Sequence, residues 1–121
     1  MSKDSLLQLQ VDRPDLSQAI AAITEWLSNL SVKPPFSTDP NRIWRQHKTI
    51  PIDKLAQALN EMARRGMAKK EYRFRTADGI VVGTAFPSPE KSPPEFQDTL
   101  TDHTYLKSEG DIVPFYTFVD K

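Results

Sequence analysis

Apolar residues first recur at helical spacing at Leu16, Ile20, Ile23, Leu27 and Leu30. Steps of four and three draw one stripe along a helix, which predicts a helix over residues 16–30. Trp26 lies beside that stripe, and Gln18, Glu25 and Ser28 fall on the far face. Asp12-Arg13-Pro14 supplies the entry signal: a capping carboxylate, then a proline in the first turn, where its missing N–H costs nothing. Val32-Lys33-Pro34-Pro35 ends the helix, because paired prolines impose extended backbone. Asp39-Pro40 repeats the entry signal and opens a short helix over residues 40–46, anchored by Ile43 and Trp44. Thr49-Ile50-Pro51 opens a third helix over residues 52–65. Its inward stripe is Ile52, Leu55, Leu59 and Met62, and Ala56, Ala58 and Ala63 favour the helical state. Gly66 suits the position just past its end, with Met67 packing back on the last turn. Arg64 and Arg65 stand where the helix dipole favours cations.

The period then changes to two. Tyr72, Phe74 and Thr76 alternate with Glu71, Arg73 and Arg75, the pattern of a half-buried strand. Ala77-Asp78-Gly79 is a turn signal, and the run from Ile80 to Phe86 returns, so residues 70–86 read as a β-hairpin. Residues 87–96 are proline-rich and read as irregular loop; residues 97–110 are polar and carry no clear period. A final strand is expected over residues 112–119, with Pro114 arguing for an edge position. The expectation is one α+β domain over residues 1–121: a three-helix core with a hairpin over residues 12–86, then a loop, an acidic segment and a C-terminal edge strand.

Charge alters this picture more than composition does. The chain has 16 basic and 16 acidic residues, so its formal net charge is zero. Residues 42–75 nevertheless hold ten Lys/Arg against three Asp/Glu, while residues 76–121 hold three against eight. That imbalance predicts a basic surface and an acidic one. The acids Glu90, Glu95, Asp98, Asp102, Glu109 and Asp111 either solubilise the tail or fold over the basic face and mask it.

The order helix, short helix, helix, hairpin resembles the winged helix-turn-helix superfamily. The matching elements are residues 16–30, 40–46, 52–65 and 70–86. Two features depart from that pattern: Pro51 in the turn before the third helix, and the tail from Pro87 onward. The resemblance implies that helix 52–65 is the recognition helix and that the hairpin touches a nucleic-acid backbone. The 3.6 period alone turns Lys54, Gln57, Asn60, Glu61, Arg64 and Arg65 outward. Amides and arginines of such a face can pair with adenine and guanine edges. Lys48, Lys69, Lys70, Arg73 and Arg75 can meet phosphates. The plain alternative is a solvated surface with cations placed by the helix dipole. Proteins dedicated to DNA usually carry net positive charge, which this chain lacks.

No constellation for catalysis stands out. There is no nucleophile elbow, no phosphate loop and no glycine-rich dinucleotide motif. His47 and His103 are the two histidines, and Asp102-His103 with Glu109 and Asp111 fits no metal spacing. Without cysteine, disulfides and thiolate metal sites are excluded. Met1-Ser2-Lys3-Asp4-Ser5 lacks the apolar region of a signal peptide, so the expected setting is cytoplasmic and away from membranes. Trp26, Trp44, Phe36, Tyr72 and Phe74 read as core, whereas Phe115, Tyr116 and Phe118 occupy both faces of the last strand, which allows a homodimer or a docking contact. The reading is therefore a small non-enzymatic adaptor or regulator without cofactor or metal. It binds a protein partner through the basic helix–hairpin face, the aromatic final strand, or both. The alternative is a DNA-binding transcriptional regulator.

Overall fold

The stripe at Leu16, Ile20, Ile23 and Leu27 becomes the centre of a helical core, with each of these side chains buried. The computed structural model describes residues 3–31 and 34–118. Val32, Lys33 and Val119, on which an expected helix end and strand end fall, lie outside the described residues. The elements are α1 (Lys3–Asp12), a 3₁₀ turn (Pro14–Leu16), α2 (Ser17–Ser28), β1 (Phe36–Thr38), α3 (Pro40–Trp44), α4 (Ile52–Arg64), β2 (Lys69–Thr76) and β3 (Val81–Phe86). A 3₁₀ turn (Pro89–Lys91), β4 (Glu95–Asp98), β5 (His103–Leu106), a third 3₁₀ turn (Lys107–Glu109) and β6 (Gly110–Phe118) follow. The chain is thus α+β. It divides into two compact units, one running to Lys69 and resuming at Tyr116, the other Lys70–Phe115. That division falls inside the span of residues 12–86 that the sequence reads as one core.

In the first unit, Leu9, Leu16, Ile20, Ile23, Ile43, Leu55, Leu59 and Met62 are fully buried together with Tyr116 and Phe118. The last two reach this core because β1 pairs antiparallel with the end of β6, Phe36 opposite Phe118 and Thr38 opposite Tyr116. The Tyr116 hydroxyl donates to Asn60 Oδ1 at 2.5 Å, which fixes β6 to the side of α4. α3 starts as expected: Asp39 accepts from the Arg42 N–H at 2.9 Å and Pro40 takes the first helical position. α4 ends as expected too. Gly66 has φ +78°, and the N–H groups of Gly66 and Met67 reach the carbonyls of Ala63 and Met62. This double bond pattern closes the helix with a left-handed residue, the conformation glycine adopts without a steric penalty.

Four expectations change in the first unit. α1 is absent from the sequence reading, because Leu6, Leu7, Leu9 and Val11 alternate with glutamines and give no clear helical stripe. Asp12 consequently ends α1 instead of capping α2; Arg13 precedes the 3₁₀ turn and makes no side-chain cap. Ile52 is 39% exposed, since it opens the first turn of α4 beyond the reach of the core. Glu61 is buried, not outward: it shares the flank of buried Ala58 and is drawn in by arginines.

The second unit carries residues 110–115 of β6, then β2 and β3 in strand order. The expected hairpin is present, with Tyr72 opposite Phe86, Phe74 opposite Val82, and Gly79 at φ +87° in its turn. Residues 95–106 add a second hairpin, β4 against β5, in place of the featureless segment. Its Phe96 stacks on Phe74 at 4.3 Å between ring centroids, and Val82, Phe86, Tyr72, Tyr105 and Ile112 complete a small core. β6 has neighbours on both sides in strand order, so Pro114 does not mark an edge strand. Pro114 lies beyond the stretch of β6 that pairs with β1, which ends at Tyr116.

Gly110 offers a direct test of this packing. A β-carbon there would sit against the Arg75 carbonyl oxygen and 2.7 Å from Phe74 Cζ. Its backbone is extended, so the obstacle is space alone. Gly110→Ala is expected to destabilise the protein by about 1–3 kcal/mol, read from the urea midpoint.

Candidate functional site

The ten residues singled out as a binding face divide between the units. Lys48, Lys54, Gln57, Asn60, Arg64, Arg65 and Lys69 belong to the first, and Lys70, Arg73 and Arg75 to the second.

On α4 the helical period does bring Lys54, Gln57, Asn60 and Arg64 to the outer side, yet much of their bonding capacity is used within the unit. Asn60 accepts from Tyr116. Arg64 pairs closely with Glu61. Arg65 donates to Glu61 Oε1 at 3.2 Å and reaches Asp12 Oδ2 at 2.8 Å. Arg13 joins the same cluster, 3.5 Å from Glu61 Oε2 and 3.0 Å from Asp15. Together these groups tie the end of α1, the turn after it and the end of α4. The Arg64 guanidinium, followed by that of Arg65, holds the Glu61 carboxyl at about 2 against burial, which pulls the other way. Asp12 is lowered chiefly by Arg65, and Asp15 chiefly by Arg13. Asp53, exposed in the first turn of α4, places a carboxylate on the outer face that the sequence reading left out.

The turn following α3 is different. Arg42, Arg45 and Lys48 are exposed and pair with no carboxylate among the described residues. The Lys48 ammonium lies 5.8 Å from the centroid of Trp44, a half-buried ring that packs on the core. Sequence reasoning named Lys48 and missed the other two. The signal was available: residues 40–52 contain three cations and no acid.

In the second unit, Arg73 faces away from Phe74. Its guanidinium lies over Phe115 at 5.6 Å, and its Nε is buried without a hydrogen-bond partner among the described residues. The Lys70 ammonium sits 5.6 Å from the centroid of Tyr72. Phe115, half-buried, is thus already covered on one side by a cation. Tyr116 and Phe118 are spent in the core of the first unit.

Among the described residues no group of three His, Asp or Glu side chains converges as a metal set, and no helix is long and apolar enough to cross a membrane. An open apolar groove between α1 and α2 is lined by Leu6, Leu7, Gln10, Ala21, Thr24 and Glu25, with Leu7 59% exposed. Compared with known protein families, with curated proteins and with solved structures, the chain matches none.

The Glu61 cluster has a defined pH signature. A carboxyl whose ordinary value of 4.5 falls to about 2 on folding adds stability that is complete above pH 4.5 and is lost as pH falls toward 2. Glu61→Gln is therefore expected to lower the thermal midpoint at neutral pH. The gap from the parent protein should narrow through that acid window and close near its bottom, as followed by circular dichroism.

Proposed function

We propose that this chain is a small non-enzymatic docking module of winged-helix-like type, working in the cytoplasm, that binds a protein partner. The observation that carries the reading is the internal use of the α4 face. Arg64, Arg65 and Asn60, the groups best suited to base edges, already bond to Glu61, Asp12 and Tyr116. Freeing them would break an ion cluster in which Glu61 is buried, and breaking one member of such a cluster is costly. Lys54 and Gln57 remain, beside the carboxylate of Asp53, which repels a phosphate backbone. A reader of duplex DNA would be left with little to read with, whereas a protein surface can match a mixed face of this kind.

Fluorescence anisotropy with mixed-sequence duplex DNA tests the choice. The expected result is weak binding that Lys54→Ala with Gln57→Ala leaves unchanged, while a photo-crosslinking residue at position 48 or 57 yields a discrete protein adduct in cells. Tight duplex binding that collapses between about 50 and about 200 mM salt and disappears in the double variant would replace this reading with DNA recognition.

A further inference from the structure

We infer that the face formed by α3 and the turn after it is a receptor for a short acidic peptide segment of a partner protein. The inference deepens the docking reading and rests on it. Its basis is the contrast between two sets of cations in one unit. Arg13, Arg64 and Arg65 are held by Asp12, Asp15 and Glu61. Arg42, Arg45 and Lys48 have no carboxylate partner among the described residues and stand exposed.

Backbone geometry gathers the second set. Arg42 and Arg45 are three residues apart at the end of α3, on one side of the helix. The Gln46 and His47 N–H groups then bond back to the carbonyls of Ile43 and Trp44, three residues earlier. These bonds carry the turn as far as His47, and Lys48 follows next in the chain with its ammonium over the Trp44 ring. The Trp44 ring beneath Lys48 gives the row an apolar floor.

Charge complementarity points to carboxylates, and the extent of the row points to a peptide. Asp39 precedes the row and Asp53 follows it along the chain, so the acid-free stretch covers residues 40–52. A phosphodiester strand carries charge at every nucleotide, and its run of phosphates would meet those carboxylates. A peptide with two or three acidic side chains places its charge where the cations are and its apolar atoms against Trp44.

The test uses the full chain and a fluorescein-labelled peptide of alternating glutamate and alanine, with a glutamine–alanine peptide and a single-stranded oligonucleotide of equal charge as controls. Trp26 is buried and Trp44 is not, so a change in intrinsic fluorescence on binding reports on Trp44. The acidic peptide is expected to bind at least about tenfold more tightly than the glutamine peptide, to alter that fluorescence, and to weaken with salt. Reversal of all three charges (Arg42→Glu, Arg45→Glu, Lys48→Glu) should abolish the preference, and the milder pair Arg42→Gln and Arg45→Gln should reduce it at an unchanged urea midpoint. Lys91→Glu, an exposed change in the other unit, should leave it intact. An unchanged preference in the milder pair, or tighter binding of the oligonucleotide, overturns the inference. A protein crosslink at position 48 without acidic-peptide binding also overturns it while the docking reading stands. Tight duplex binding removes both.

Discussion

Glu61 is a carboxylate with little access to water, and such a group persists only when its charge is answered nearby. Three guanidiniums answer it. Arg64 and Arg65 come from its own helix, and Arg13 comes from the joint between α1 and α2. Asp12 balances Arg65 from the end of α1, and Asp15 balances Arg13. The apolar contacts of Leu9, Leu16, Leu55 and Leu59 set which faces of these helices meet. The ionic cluster sets where along their lengths they stop. Hydrophobic burial has no direction, whereas a carboxylate bridged by several guanidiniums does. The helical arrangement of the first unit depends on this combination.

That arrangement sorts the basic residues by role. A cation near Glu61 serves the fold, and its charge is not available to a ligand without an opposing loss. A cation after α3 has no such duty. A count of lysines and arginines along the chain cannot make this distinction, because it depends on which carboxylates the tertiary fold delivers. The same applies to the aromatic end of β6. Phe115, Tyr116 and Phe118 look like a sticky strand in sequence, yet two enter a core and the third lies beneath Arg73.

Much of the fold was legible where periodicity was strong and caps were explicit. The helix ending at Gly66, the Asp39-Pro40 entry and the hairpin turning at Gly79 all combine a pattern with a local backbone signal. α1 was not legible: its leucines sit among glutamines, and Leu9 alone is fully buried while Leu7 and Val11 stay exposed. The hairpin of β4 and β5 was hidden for a related reason. Its packing rests on the facing pair Phe96 and Tyr105, too few apolar positions to show a period of two. The site was half legible. Charge segregation was visible in the sequence, but the inward turn of Glu61 and the freedom of Arg42 and Arg45 required coordinates.

The chain leaves the first unit after Lys69 and rejoins it at Tyr116, with all of the second unit between. Order of synthesis therefore differs from order of completion. The helices are made well before Tyr116 and Phe118, and so before the strand end that pairs with β1 and stacks Phe118 on Phe36. Until that late strand arrives, the nascent helical part displays an unfilled apolar seam, the kind of surface that chaperones recognise.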